Sequence, residues 1–255
     1  MATAVQSMDQ ASLEKLIESE VLKVESLHPG GLAMTRELAQ LCKIGPGSVV
    51  IDIASGTGES ACFLAERLGA HVVGIDLSEQ MLHRAEEKGR NKGLQLEFCK
   101  ADAHRLPFPD TMFDVAICEC TLCIFDKEKA LDEMVRVVKP GGHVGMHDLC
   151  WKESAPPALR STLAEIEGEQ PETLEGWKRL FLQAGLTEII AVDKSTLIPG
   201  WMKESKQQLG LIGQMVVILK VLRRWGPRGV WRVWQSERVF SSTHLGYGIV
   251  IGTRQ

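Results

Sequence analysis

Charge of one sign is not in excess in this 255-residue chain: 29 Lys and Arg against 33 Asp and Glu leave a net charge of −4. Such a balance gives no general attraction to nucleic acid or to anionic membrane, so any partner of that kind must meet a local patch. The N-terminal stretch MATAVQSMDQASLEK lacks the basic segment, apolar run and small-residue cleavage site of a secretory signal, and none is expected. No apolar run approaches the roughly 20 residues that cross a bilayer, and no internal repeat or low-complexity tract interrupts the chain. The seven cysteines are an odd number and no secretory signal accompanies them, which predicts reduced thiols in a cytoplasmic setting and not a disulfide framework. What is present is ordinary apolar content, 44%, over a length that buries one sizeable core. The simplest reading is one α/β domain with an elaboration.

Leu13, Leu16, Ile17, Val21, Val24 and Leu27 recur at helical spacing between Glu and Lys residues, predicting an amphipathic helix that ends at the His28-Pro29-Gly30-Gly31 breaker. From Ser48 onward short β-branched runs alternate with helical stretches: SVVIDIA, ESACFLAERLG, HVVGID, SEQMLHRAEEKG, LQLEFC, FDVAIC, KEKALDEMVRVV and GGHVGMHD. That alternation predicts βαβ units, hence a parallel sheet with helices on both faces. VVIDI and FDVAI are apolar almost throughout, as strands buried on both faces should be. Gly141 and Gly142 read as the turn before the fifth strand, with no chemical role. A helix around Glu172 to Ala184, a strand TEIIAV, a long insertion and a last strand HLGYGIVIG complete the chain.

Open parallel sheets bind ligands outside the carboxyl ends of their strands, and the first β-to-α turn usually carries the glycines. Here that turn is Asp52-Ile-Ala-Ser-Gly-Thr-Gly58. Gly56 and Gly58 let backbone pass close to a ligand, and the helix that follows offers free N–H groups. Asp76 closes the second strand, where a carboxylate can accept both hydroxyls of a ribose. Gly56-x-Gly58-x-x-Ala61 with Asp76 downstream also suits a dinucleotide fingerprint. Asp52 inside the first strand separates the two readings, together with Ala101-Asp102-Ala103-His104-Arg105-Leu106-Pro107-Phe108 and Val137-Val138-Lys139-Pro140-Gly141-Gly142 downstream.

With these segments in this order, residues 45 to 150 resemble the class I S-adenosylmethionine-dependent methyltransferases of the methyltransferase-11-like kind. The resemblance implies a Rossmann-like seven-stranded sheet, mostly parallel with an antiparallel last strand, and S-adenosylmethionine as cofactor. Carried over residue by residue, it implies that Ser55, Gly56 and Gly58 line the methionine moiety and that Asp76 binds the ribose. Leu77 and Met81 would pack the adenine, Asp102 and Ala103 would meet its edge, and Cys118 would lie beneath the sulfonium. Asp52 would anchor the loop or the ligand's amino group. Ala54 departs from a position where the family often has glycine, and alanine fits there with a negative φ.

The segment CECTLC, 118 to 123, ends the fourth strand and GMHDLC ends the fifth. In such a fold these ends border the transferable methyl group and the acceptor pocket, which gathers Cys118, Glu119, Cys120, Cys123, His147, Asp148 and Cys150. Structural zinc needs four ligands and Cys120-x-x-Cys123 supplies half a site, so no metal is expected. Cys118 and Cys120 point the same way only if the strand stays regular. The bland reading is that these thiols are small, soft residues of the pocket wall. The stretch through Asp126-Lys127 also resembles the arsenite methyltransferases, whose thiolates hold a trivalent metalloid. Cys120 matches one such thiol, but the later cysteine after a Gly-Glu pair has no equivalent in Glu167-Gly-Glu-Gln-Pro171. His147 and Glu119 are candidate general bases for an acceptor that must lose a proton. Catalytic candidates are therefore His147, Glu119 and Cys120, with in-line positioning of the acceptor as the main source of rate.

If Thr187 to Val192 is a sixth strand parallel to the others, the insertion leaves from the cofactor face and is a lid candidate. It contains Met215-Val-Val-Ile-Leu219, then Lys220, Arg223, Arg224, Arg228, Arg232 and Arg238 interleaved with Trp225, Trp231 and Trp234. The readings are a lid over an anionic or apolar acceptor, a peripheral membrane contact through the 215–240 segment, or a hairpin whose indoles pack on the sheet. Nucleic acid is not an expected partner. The chain thus divides into a helical cover over 1–44, a Rossmann-like core over 45–193, a lid-like insertion over 194–243 and a last core strand over 244–255. The expected function is methyl transfer from S-adenosylmethionine to a small-molecule acceptor by direct displacement. Arsenite methylation and a non-catalytic cofactor- or partner-binding module are the alternatives; the oligomeric state is not indicated.

Overall fold

The computed structural model describes residues 29–255 and, before them, residues 11, 12, 15, 16 and 21, without the side chains at 202, 204–206 and 208. Apart from Lys15, Leu16 and Val21, the predicted N-terminal helix lies outside the described residues. The helix α1, Gly31–Leu41, begins at the last glycine of the Pro-Gly-Gly breaker, within the 1–44 stretch expected as a helical cover but beyond the one helix placed there. Then come β1 (Val49–Ile53), α2 (Glu59–Leu68), β2 (His71–Asp76), α3 (Glu79–Asn91), β3 (Glu97–Lys100) and β4 (Phe113–Glu119). A single 3₁₀ turn, Leu122–Ile124, leads to α4 (Lys127–Val137) and β5 (Val138–Trp151). The chain ends with α5 (Pro157–Glu167), α6 (Leu174–Gln183), β6 (Leu186–Asp193), α7 (Leu197–Phe240) and β7 (Leu245–Arg254).

The strands form one seven-stranded sheet in the order β3-β2-β1-β4-β5-β7-β6. Strands β1 to β5 pair in parallel, and β7 inserts antiparallel between β5 and β6. The direction of winding reverses between β1 and β4, which is where such sheets open a crevice for ligands. Successive residues of a strand face opposite sides, and β1 shows it: Val50 packs with Leu38, Leu64 and Tyr247 on one face, Ile51 and Ile53 with Phe113 and Trp177 on the other. Ser78, Asp126 and Thr173 cap α3, α4 and α6 by accepting a backbone N–H of the first turn. Gly141 and Gly142 lie inside β5 and do not precede it. The ladder with β4 shifts register between Phe113 and Val115, and this irregularity admits two glycines, a side chain at Gly142 running into the Asp114 carbonyl.

The insertion is one long helical run broken at Gly210 (φ 59°) and Gly226 (φ 67°). Pro227 opens the third piece, a position where its missing N–H costs nothing. Arg232 ties that piece down: Nη2 donates to the Ile166 carbonyl at 2.6 Å and the Glu165 carbonyl at 3.2 Å, and Nε to the Ala11 carbonyl at 3.1 Å. Two of these acceptors are free carbonyls at the end of α5, where a cation is also favoured by the helix dipole. Among the described residues no helix is long and apolar enough to cross a membrane.

Candidate cofactor and acceptor site

The loop after β1 is held by main-chain bonds from its own turn and from β2. Ser55 N–H donates to the Ile75 carbonyl at 2.8 Å, and Gly58 N–H to the Ser55 carbonyl at 2.8 Å. The Asp76 carboxylate accepts from Gly56 N–H and Ser78 N–H, each at 2.9 Å, so it fastens the glycine loop to the start of α3. Gly56 (φ 53°) faces open space, whereas a Cβ on Gly58 (φ 71°) would lie 2.8 Å from the Ala85 Cβ. Ala54 does not meet its expectation. Its φ is 57°, in the left-handed region that a Cβ disfavours by about 1–2 kcal/mol. Ala54→Gly should relieve that strain, less the extra freedom glycine brings to the unfolded chain. The expected result is a stability gain of about 0.5–1 kcal/mol in urea unfolding; a loss of stability would contradict it.

Asp52 is 2% exposed on β1. Its Oδ2 and the Ser55 Oγ are buried with no hydrogen-bond partner among the described residues. Burial, then the negative charges of Glu119 and Asp76, push the Asp52 carboxyl well above the usual range. A buried acid beside an unpaired hydroxyl calls for a ligand cation or donor. On the flank, Met81 is buried while Leu77 stands exposed, so only Met81 is already part of a wall. Ala103 is buried, and the Asp102 Oδ1 accepts from the His104 N–H at 2.9 Å and lies 2.6 Å from its Nδ1. The His104 Nε2 in turn accepts from the Asp126 N–H at 3.0 Å, tying this turn to α4. Cys118 is fully buried on β4 between Ile53 and Met146.

The three catalytic candidates meet at the carboxyl ends of β4 and β5. Glu119 is paired in register with His147, and its Oε2 lies 3.1 Å from the His147 Nε2. The same oxygen accepts from the Ser60 hydroxyl at 2.7 Å and the Thr35 hydroxyl at 3.0 Å. His147 is wholly buried, and its Nδ1 lies 2.5 Å from the Tyr247 Oη, which is 2.9 Å from the Cys120 Sγ. A carboxylate at Nε2 selects the tautomer with its proton there, leaving Nδ1 to accept from Tyr247 and Tyr247 from the thiol. The bonds then run from the half-buried Cys120 through Tyr247 to His147, whose Nε2 lies against the Glu119 carboxylate. His147 therefore has no open face for an acceptor; the outer end of the relay is Cys120. Burial lifts the Tyr247 phenol and the Cys120 thiol well above their ordinary ranges.

Sequence reasoning missed Thr35, Ser60 and Tyr247. Tyr247 had a signal, being the chain's single tyrosine, set in an otherwise apolar strand. Thr35 had none, since the helix of the 1–44 cover was placed before the breaker and not after it. The strand does not stay regular past Glu119: Cys120 has φ 54°, so Cys118 and Cys120 do not share a face. Cys123 is buried, its N–H donating to the Asp148 Oδ2 at 2.9 Å, and Asp148 is itself fully buried. Among the described residues no three His, Cys, Asp or Glu side chains form a group that would hold a metal ion.

A glycine loop at the switch point, an aspartate closing the next strand and a buried acid beneath the loop define a nucleoside-cofactor-binding α/β protein. Residues 51–146 match the family described as "Methyltransferase domain". The chain is 32% identical over 167 residues to phosphoethanolamine N-methyltransferase 1 of Arabidopsis thaliana, covering 65% of this chain and 34% of that protein. It spans about a third of the length of such plant relatives. The structure of Haemonchus contortus phosphoethanolamine N-methyltransferase 2 in complex with S-adenosyl-L-methionine superposes with a TM-score of 0.75 at 18% identity, over 92% of this chain and 55% of that one. The [4+2]-cyclase SpnF superposes with a TM-score of 0.73 at 21% identity, over 91% and 85%; at such identities the likeness is one of fold. Residues 51–146 thus carry a methyltransferase domain, on a sheet of the fold seen in S-adenosylmethionine-bound methyltransferases.

Proposed function

We propose that this protein transfers a methyl group to a small-molecule acceptor by direct displacement, and that the acceptor is an amine or hydroxyl whose proton leaves through the Cys120-Tyr247-His147-Glu119 relay. The observation that carries the reading is that relay, four linked polar side chains at the strand ends that border the cofactor loop. Bound S-adenosylmethionine supplies an electrophilic methyl group. Asp52, Ser55, the glycine loop and Asp76 would hold it, with Met81 and Cys118 as apolar walls. As the acceptor's proton passes to the Cys120 Sγ, the thiol proton moves to the Tyr247 Oη and the phenol proton to the His147 Nδ1. The imidazolium that results lies against the Glu119 carboxylate, which Thr35 and Ser60 hold in place. The names of the plant relatives, phosphoethanolamine N-methyltransferases, favour a small amine.

The test is incubation with methyl-deuterated S-adenosylmethionine and small amines, phosphoethanolamine included, then with a cell extract, followed by mass spectrometry. A labelled product made by the wild type and not by Asp76→Ala is the expected result. Cofactor binding without label across all acceptors would favour the binding-module reading. A parallel incubation with arsenite and thiol tests a metalloid acceptor, for which Cys120 is the one thiol of the 118–123 cluster that is not fully buried.

A further inference from the structure

We propose that the middle of α7 docks this protein on an anionic lipid surface. Residues 205–236 contain six cations, Lys206, Lys220, Arg223, Arg224, Arg228 and Arg232, and no Asp or Glu. The net charge of −4 therefore divides into +6 in this segment and −10 in the rest of the chain. Between the two glycine breaks, at about 3.6 residues per turn, Leu211, Ile212, Met215, Ile218, Leu219 and Leu222 fall within a sector of about 120°. All six are exposed, Leu211 by 82%, Ile212 by 80%, Met215 by 63% and Leu219 by 60%. Val221, 1% exposed, lies on the other side and faces protein. Continuous apolar surface of this kind marks an interaction site.

Lys220, Arg223 and Arg224 occupy the sector next to the apolar one, with Arg224 5.0 Å over the Trp225 ring. Beyond Gly226, Trp231 and Trp234 are 56% and 54% exposed, and Arg238 lies over Trp234. An apolar stripe bordered by cations, with indoles at its end, is the composition of a helix that lies in a membrane interface. The aliphatic face enters the acyl boundary, the long cations reach back to phosphate, and the indoles sit at headgroup depth. Charge decides among occupants. A second copy would set Lys220, Arg223 and Arg224 against the same three cations, and nucleic acid would meet the cations but leave the apolar stripe in water. An anionic bilayer satisfies both. Arg232 is excluded from the contact, because it is spent on the carbonyls of α5. The insertion departs from the carboxyl end of β6, the end of the sheet that bears the glycine loop.

The experiment is co-sedimentation of the whole chain with vesicles of phosphatidylcholine alone and of phosphatidylcholine with phosphatidylglycerol at roughly 7:3. The expected result is binding to the mixed vesicles, a blue shift of tryptophan emission on binding, and weakening as salt rises. The pairs Met215→Asp with Leu219→Asp, and Arg223→Glu with Arg224→Glu, should each lower partitioning at least about tenfold. Calorimetric affinity for S-adenosylmethionine should be unchanged in both, which shows the variants folded. Failure to bind the mixed vesicles would overturn the proposal, as would variants that bind like the wild type. So would self-association that the Met215 and Leu219 changes abolish in the absence of lipid binding.

Discussion

Asp76→Ala is expected to weaken S-adenosylmethionine binding by at least about 100-fold in titration calorimetry. A hydrogen bond to a charged group contributes about 1.5–3 kcal/mol, and a carboxylate that holds two ribose hydroxyls makes two, so their loss spans roughly 10² to 10⁴ in affinity. The structure adds a reason that the ribose alone does not supply. The same carboxylate accepts from Gly56 and Ser78 N–H, so its removal also releases the loop that must cradle the methionine end. Asp76→Asn keeps the shape and one acceptor oxygen and should fall between the two. Thermal unfolding of both variants separates a damaged site from a damaged fold. Affinity within a few-fold of the wild type in the alanine variant would remove Asp76 from the site.

Tyr247→Phe is expected to lower kcat for the acceptor found by isotope labelling about 100-fold, the lower range of what a positioned proton acceptor supplies. The change keeps the ring in place and deletes only the oxygen that joins the Cys120 Sγ to the His147 Nδ1. KM for S-adenosylmethionine should stay within about twofold, because Tyr247 bonds to none of the residues that hold the cofactor loop. The buried His147 and the half-buried Cys120 each lose a bond, so the variant should also be less stable, by about 1–3 kcal/mol. Glu119→Gln should act in the same direction, since an amide does not favour the imidazolium as a carboxylate does. Cys120→Ser, which retains a hydroxyl donor, should preserve much of the rate. An unchanged kcat in Tyr247→Phe would mean that the acceptor arrives already deprotonated and that the buried chain is structural.

The cofactor half of the site was legible because its parts are local. Asp52, Gly56, Gly58 and Asp76 each sit at a strand end or in the turn after it, and their roles follow from where a βα unit places them. The alternation of β-branched runs with amphipathic stretches was enough for the parallel sheet, since strand and helix periods are properties of neighbouring residues. Ala54 was read by analogy with an ordinary backbone, and the loop's closure onto β2 put it in the left-handed region instead. The glycines inside β5 were misread for a related reason: a turn and an irregular strand have the same composition, and only the partner strand distinguishes them.

The sequence by itself determined the fold class, the glycine loop, the aspartate that follows it and the basic, tryptophan-containing character of the insertion. Tertiary structure alone decided the acceptor side. Glu119 meets Thr35 across 84 positions, His147 meets Tyr247 across 100, and Cys120 meets Tyr247 across 127. Those meetings depend on β7 entering the sheet antiparallel between β5 and β6, at a register that turns the Tyr247 ring toward His147. A slip of one residue would carry the phenol to the opposite face. Likewise the apolar residues of α7 are a core stripe or a docking face according to what packs on them, and burial is not a property of the residue but of its neighbours.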